Sequence, residues 1–429
     1  MQKHQRQLIA IDKKYLWHPF TQMKDWVSED PLIIDRAQGV YLYDIHGNKY
    51  LDGVSSLWVN VHGHRHKEID KALKAQIDRL SHSTLLGLAN TPAVLLSKAL
   101  IDIAPKGLAR VFYSDNGSTA VEIALKMAYQ YWQNTGKTKK CTLVHLSNSY
   151  HGDTLGSVSV GGIDLFHQVY HGLIFKTHGL KSEGMEAVKE FEIYLKKNST
   201  TTAALIVEPL VQGAAGMRVW PKGVLKKFRQ LCTKYNIFLI ADEVATGFGR
   251  TGTMFACEQE GVTPDFLCLA KGLTGGYLPL AATLTTNDVY KGFLADYKDQ
   301  KTFFHGHTYT GNPLACAAAL ANLKIFQEEQ TLKKLAPKIK FLGEKLKMLY
   351  NLASVKEIRQ CGFMVGIELH GRWEERLGAK VCQQLRAEGI ILRPLGNVIV
   401  IMPPLVISIR ELDFLLTTVY KVIKCEYFS

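Results

Sequence analysis

Two strongly apolar runs end in residues that could do chemistry. Ile237-Phe238-Leu239-Ile240-Ala241 leads into Asp242-Glu243, and Phe266-Leu267-Cys268-Leu269-Ala270 delivers Lys271-Gly272. Both read as buried strands, and in an open α/β sheet ligands collect beyond the carboxyl ends of the strands. A lysine amine there can form an imine with an aldehyde cofactor and later move a proton. A carboxylate against the nitrogen of a pyridine ring keeps that ring protonated, so it can accept electrons from a substrate carbanion. Taken singly, Asp242 reads as a helix N-cap and Lys271 as a surface lysine. Together, with a glycine loop at 272–276, they read as a site.

A third segment joins them. Ser114-Asp115-Asn116-Gly117-Ser118-Thr119 follows a strand candidate and opens a long amphipathic run. Free N–H groups at a helix N-terminus, with a hydroxyl beside them, make a phosphate cradle. Alone, the segment would be an ordinary Ser/Asn cap.

Other motifs fail on their context. Gly247-Phe248-Gly249-Arg250-Thr251-Gly252 matches GxGxxG, but no helix opens across it as a dinucleotide site requires. Thr135-Gly136-Lys137-Thr138 resembles the end of a P-loop, yet Tyr131 stands where glycine is needed. His62, His64 and His66 have no cysteine neighbour to complete a metal site, which needs three or four converging ligands. A structural or substrate-lining loop is the better reading, and no metal is expected.

The elements that must position these residues follow from periodicity. Residues 40–44 alternate and meet a turn at His46-Gly47-Asn48, as in a small β-hairpin. From about residue 91 the pattern becomes α/β: helix over 94–104, strand over 110–113, helix over 119–132. Further buried strands are expected at 142–145, 203–207, 237–241 and 266–269, with helical stretches between several of them. That alternation predicts a mostly parallel sheet covered on both faces. After about 325 helices mix with short strands at 363–368 and 398–401. The expected organisation is a large α/β domain over 63–325 and a smaller α+β domain built from 1–62 and 326–429.

Composition sets the outer limits. A chain of 429 residues, 47% hydrophobic, is long enough for two or three domains. Eight cysteines without a CxxC pair suit neither a disulfide framework nor a zinc site. The net charge of +13 is spread over amphipathic helices such as 225–234 and 332–347, not gathered into a nucleic-acid stripe. No run is apolar enough for a membrane span, and the N-terminus lacks a signal-peptide core, so a cytoplasmic enzyme is expected.

The ordered set of Asp242-Glu243-Val244-Ala245-Thr246-Gly247-Phe248-Gly249-Arg250-Thr251-Gly252, Lys271-Gly272-Leu273-Thr274-Gly275-Gly276 and His305-Gly306-His307-Thr308-Tyr309-Thr310-Gly311-Asn312-Pro313 resembles the class III aminotransferases. These are pyridoxal 5'-phosphate enzymes of fold type I, and the likeness covers essentially the whole chain. Leu16-Trp17-His18-Pro19-Phe20, Ser55-Ser56-Leu57-Trp58, Val61-His62-Gly63-His64, Tyr150-His151-Gly152-Asp153-Thr154 and Leu392-Arg393-Pro394 are similar to the branch that aminates 8-amino-7-oxononanoate in biotin synthesis.

The resemblance implies a role for each matching residue. Lys271 would hold the cofactor as a Schiff base, Asp242 would face its pyridine nitrogen, and Gly117 and Ser118 would bind its phosphate. Tyr150 would stack on the ring, with Glu208 nearby. His307 and Thr308 would reach the phosphate of a neighbouring subunit, which implies a homodimer. Arg393 would clamp the substrate's far carboxylate by guanidinium's two-pronged geometry. Phe20, Leu57, Trp58, Asp153, Arg250 and Gly306 would line the substrate pocket.

Two positions depart from better-known members, which carry a second tryptophan where this chain has Leu57 and a tyrosine where it has Phe20. Losing that hydroxyl removes one polar anchor. S-adenosylmethionine is the commonest donor of the branch and is expected here. Lysine is the alternative, because sub-branches with Ser-Leu-Trp and His-Pro-Phe use it. The rival within the fold is an ω-aminotransferase for ornithine or 4-aminobutyrate.

Overall fold

A computed structural model describes residues 2–426. In chain order its strands begin with β1 (Ile34–Gln38), β2 (Tyr41–Asp44), β3 (Lys49–Asp52), β4 (Leu108–Ser114), β5 (Thr142–Leu146), β6 (His178–Leu180) and β7 (Thr202–Val207). There follow β8 (Val211–Gln212), β9 (Arg218–Val219), β10 (Phe238–Asp242), β11 (Phe266–Leu269) and β12 (Ala281–Thr286). The last are β13 (Val355–Cys361), β14 (Met364–Leu369), β15 (Ile390–Ile391), β16 (Arg393–Leu395) and β17 (Val398–Ile401).

The central sheet has seven strands in the order β4-β12-β11-β10-β7-β5-β6. The pairs among β6, β5, β7, β10 and β11 are parallel, whereas β12 runs antiparallel to both β11 and β4. The expected mostly parallel α/β sheet is therefore present. Strands β7, β10 and β11 are buried along their whole length, because helices cover both faces. The helix Gly117–Asn134 contributes Ala120, Val121, Ala124, Ala128 and Trp132 to one side, with Trp132 stacked on Phe238 at 4.7 Å between centroids. That helix starts two residues earlier than its periodicity predicts, because Asn116 accepts from the Thr119 N–H at 3.1 Å and Thr119 bonds back.

Among the described residues there are two smaller four-stranded sheets, and the first brings together chain segments far apart in sequence. The N-terminal hairpin is extended by β15, which pairs parallel with β3 through Ile390↔Leu51 and Ile391↔Asp52. The other sheet, β13-β14-β17-β16, meets the helix Leu377–Ala387, which in turn packs on the helix Ile409–Glu426, whose Leu412, Leu415, Leu416, Val419 and Ile423 are buried. One continuous apolar cluster runs from Val40 and Leu51 through the central sheet to Leu412 and Ile423. At roughly 25 cal/mol per Å² of apolar area removed from water, such a cluster holds the hairpin against the C-terminal segment without covalent help.

The segment after β11 is pinned from behind. Asn322, fully buried on the helix Pro313–Glu328, donates through Nδ2 to the carbonyls of Gly272 and Leu273, each at 3.0 Å. Substituting Asn322 by Leu leaves two buried carbonyls without that donor. The expected loss is about 1–3 kcal/mol of unfolding free energy, read by urea denaturation; a stability equal to wild type would remove Asn322 as the pin.

Candidate active site

Strands β10 and β11 lie side by side and parallel, with Asp242 opposite Cys268. Both chain directions therefore point the same way, and Asp242 and Lys271 reach one cavity of about 760 Å³. Trp58, Gly117, Ser118, Tyr150, His151, Asp153 and Glu208 line the same cavity. Lys271 sits at a left-handed φ of +44°. Backbone strain of this kind in a residue with a side chain collects at functional sites.

The amine of Lys271 lies 4.6 Å from the centre of the Trp58 ring. Burial pulls its pKa down to about 8, against the attraction of Asp242 and Glu208 and with help from Arg250. An amine near that value is neutral often enough near neutral pH to act as nucleophile and base.

Asp242 is buried and held by His151, whose Nδ1 lies 2.7 Å from Asp242 Oδ2. Its Oδ1 accepts the Val244 N–H at 3.1 Å. His151 is equally buried, and its Nε2 has no protein partner among the described residues. Sequence reasoning missed this residue. Its signal was present in Tyr150-His151-Gly152, but its partner lies 91 positions away.

Glu208 accepts the N–H groups of Tyr150 and Gly213 at 3.0 and 2.9 Å. It thereby fixes the backbone from which the Tyr150 ring projects. Burial, reinforced by Asp242 and opposed by His151, pushes the Glu208 carboxyl up to about 7. The Tyr150 hydroxyl donates to Asp153 Oδ2 at 2.8 Å. Burial and that carboxylate drive the phenol's pKa well above its ordinary value.

The first turn of the helix Gly117–Asn134 leaves the Gly117 and Ser118 N–H groups without intrahelical acceptors. A Cβ on Gly117 would come within 2.6 Å of Val244 Cγ1, so only glycine lets the backbone approach there. Ser118 Oγ bonds with Thr154 Oγ1 at 2.7 Å and lies 3.1 Å from Ser157 Oγ. Amide donors, hydroxyls and a closely approaching backbone form a cradle suited to a phosphate.

Trp58 reaches the cavity by an unusual route. Ser55, Ser56, Leu57 and Trp58 have φ of +49°, +42°, +66° and +73°, which makes one left-handed turn without a glycine. The Trp58 and Val59 N–H groups close it on the Val54 and Ser55 carbonyls. Left-handed geometry costs about 1–2 kcal/mol per residue, so the surroundings must hold this turn.

The other expected residues are placed as follows. Phe20 is exposed and meets Phe166 edge-on at 5.4 Å; Phe166 meets Tyr150 in turn at 6.1 Å, so Phe20 joins the aromatic wall at one remove. Leu57 is exposed on the left-handed turn. Arg393 is exposed on β16, on the same face as Leu395, which packs in the cluster containing Trp58. Arg250 is not at the cavity wall. Its guanidinium is buried and donates to the carbonyls of Pro403 at 2.7 Å and Asn60 at 3.4 Å. Burial pulls its pKa down to about 9, with Asp52 opposing. Gly306, His307 and Thr308 do not line the cavity either; Gly306 and Thr308 are exposed and His307 Nε2 lies 3.8 Å from Asp115 Oδ1.

The histidines of 62–66 diverge: His62 Nε2 faces the Asn322 carbonyl, His64 bonds to Asp52 and His66 to Glu329. No helix among the described residues is long and apolar enough to cross a membrane.

The profile of the class III aminotransferase family matches residues 23–423. The chain belongs to the class III aminotransferases. This aminotransferase is 53% identical to the adenosylmethionine-8-amino-7-oxononanoate aminotransferase of Geobacter sulfurreducens, over 94% of each chain. The crystal structure of the enzyme of that name from Methanocaldococcus jannaschii is 46% identical. It superposes with a TM-score of 0.96 over 98% of this chain and 99% of that one. An amine transaminase from an uncultivated Pseudomonas species, solved with PLP bound, has a TM-score of 0.90 at 33% identity, covering 96% and 99% of the two chains. The aminotransferase has the fold of type I transaminases, and its cofactor is pyridoxal 5'-phosphate.

Glu208 gives this aminotransferase a pH signature. Its folded-state pKa of about 7 lies above the ordinary 4.5, so the native state binds the proton more tightly than the unfolded chain. Its stabilising contribution is complete below pH 4.5 and is lost as pH rises through 7. In the cofactor-free protein, Glu208→Gln should therefore gain stability relative to wild type between pH 5 and pH 8. Urea unfolding at both values measures it; a wild-type-to-mutant difference that does not change with pH would contradict the assignment.

Proposed function

We propose that this aminotransferase moves an amino group onto the ketone of 8-amino-7-oxononanoate, giving 7,8-diaminononanoate, with S-adenosylmethionine as donor. The observation that carries amino transfer is the Lys271 amine beside Asp242 at the ends of neighbouring parallel strands. The acceptor and donor follow from the relatives whose names state them, matched over nearly the full chain.

The cavity's residues fit pyridoxal phosphate. Bound there, the cofactor supplies an aldehyde that carries the amino group and a ring that takes up electron density. Gly117 and Ser118 would hold its phosphate, Asp242 its ring nitrogen, and Tyr150 one face of the ring. His151 orients the Asp242 carboxylate, and Glu208 fixes the Tyr150 backbone. Lys271 Nζ would take the proton from the donor's α-carbon in the first half of the cycle, and in the second would deliver a proton to the acceptor carbon that receives the amino group. Trp58 would cover one side of that amine, its ring centre 4.6 Å away. Arg393, on the Trp58 side of β16, would bind the acceptor's distal carboxylate.

We read the working form as a homodimer. Leu86, Leu88, Phe304 and Tyr309 are exposed, with Phe304 at 78%, and belong to one surface: Tyr309 meets His82 at 4.9 Å between ring centres, and Gly306 adjoins Leu86. An apolar surface of that make-up calls for a partner. A second copy covering it would bring the loop of His307 and Thr308 toward the neighbouring cavity.

Lysine is kept as the alternative donor because Leu57 and Phe20 depart from the better-known pattern. Lys271→Ala should stay folded and lose turnover by at least about a thousandfold; substantial residual transamination would end the reading of Lys271. Loss of the bound cofactor's visible absorbance on mixing with S-adenosylmethionine or with lysine, tested separately, identifies the donor. Turnover with the oxononanoate is expected to exceed that with 2-oxoglutarate, and the reverse preference would sink the acceptor. Arg393→Ala should raise KM for the oxononanoate and spare the donor half-reaction; equal damage to both halves would count against the clamp.

A further inference from the structure

Nothing in Ser55-Ser56-Leu57-Trp58 favours a left-handed turn, since none of the four is glycine. The force that holds it must come from outside. Asp52, the last residue of β3, supplies it. Its carboxylate is fully buried and uses both oxygens. Oδ1 accepts the Ser56 N–H at 2.9 Å and lies 3.4 Å from the Val54 nitrogen. Oδ2 accepts the Ser56 hydroxyl and faces His64 Nε2, each at 2.9 Å. At the other side of the turn, Ser55 Oγ donates to the Met402 carbonyl at 2.6 Å, just beyond β17.

These bonds have a consequence at the reacting amine. The turn ends on Trp58, whose ring lies 4.6 Å from Lys271 Nζ and packs against Gly213. Gly213 is the residue whose N–H is held by Glu208. A turn that relaxed to right-handed geometry would carry the indole away from Lys271 and open the amine to water.

We propose that Asp52 is a positioning residue of the active site, holding the left-handed turn that sets the Trp58 indole against the Lys271 amine. It does not line the cavity and acts through Ser56. The proposal rests on the reading of Lys271 as the reacting amine. The Asp52 carboxylate could not be replaced by a neutral acceptor without loss, because it takes up the Ser56 N–H, the Ser56 hydroxyl and His64 Nε2 at once. Charged acceptors bind backbone N–H groups about twice as strongly as neutral ones.

The test uses the full-length, cofactor-free protein and trace acetylation with acetic anhydride, following the Lys271 peptide by mass spectrometry across pH. Wild type should show half-maximal labelling of Lys271 near pH 8, the value to which burial brings it. In Asp52→Ala that midpoint should move up toward the ordinary 10.5 as water reaches the amine. In the holoenzyme kcat/KM should drop about a hundredfold, as expected for misplacement by an ångström or so. Asp52→Asn, which keeps an acceptor for the Ser56 N–H, should fall between.

The decisive variant is Asp52→Ala/Ser56→Gly. Glycine takes left-handed φ without steric cost, so the second change should bring both the labelling midpoint and turnover back toward wild type. A purely structural Asp52 predicts the opposite, because glycine adds flexibility to a weakened fold. If Asp52→Ala does not fold, Asp52→Asn is compared with Asp52→Asn/Ser56→Gly in the same way. A wild-type midpoint and turnover in the folded single variant would overturn the proposal. So would a folded double variant as impaired as the single one. If Lys271→Ala retained turnover, that would overturn the reading of the amine itself, so the two failures stay distinct.

Discussion

An amine that must be kept dry yet lose its proton near neutral pH is the constraint around which this molecule is arranged. Water would hold Lys271 protonated, and the carboxylates of Asp242 and Glu208 pull in the same direction. Burial acts against both and prevails, bringing the amine to about 8. The balance survives only because each carboxylate is engaged elsewhere. Asp242 is tied to His151, and Glu208 spends both oxygens on backbone N–H groups while burial favours its protonated form. Either acid, released to face Lys271 directly, would restore the ammonium and remove the base.

The sheet makes this arrangement possible with little adjustment. Parallel neighbours place successive carboxyl ends at one edge, so β10 and β11 deliver an acid and a lysine to the same cavity. Antiparallel β12 then carries the chain back between β11 and β4, which sets the helix Gly117–Asn134 with its N-terminus at that same edge. Cofactor charge and reacting amine are thus positioned by the topology, and the loops supply only refinements.

Much of this was readable from residue order, and the gaps have physical reasons. The runs ending at Asp242 and Lys271 are apolar throughout because both faces of those strands are covered, and such runs stand out. Strand β12, Ala281–Thr286, does not, because three of its six residues are threonines. Two of their hydroxyls are satisfied by distant carbonyls, Thr283 on Ala120 and Thr285 on Asp265, which no local pattern announces. Arg250 misled for the same kind of reason. The family likeness put Arg250 among the substrate-pocket residues, whereas here it joins the segment after β10 to the carbonyls of Asn60 and Pro403. His151 and Asp52 were passed over since their partners are defined by folding. The residue types were visible; the company they keep was not.

The strained backbone is where these threads meet. Lys271 and the four residues ending at Trp58 all occupy left-handed conformations without glycine, and the Lys271 and Trp58 side chains face one another. Strain of this sort persists only where neighbours over-determine it. Asn322 fixes the carbonyls that follow Lys271, and Asp52 fixes the turn before Trp58. Glycine at these positions would relieve the strain without any such hold. A side-chain-bearing residue, forced into place by buried hydrogen bonds, has only one position to occupy. That rigidity holds the indole against the amine, and it explains why the chain supports a costly geometry at two points facing one cavity.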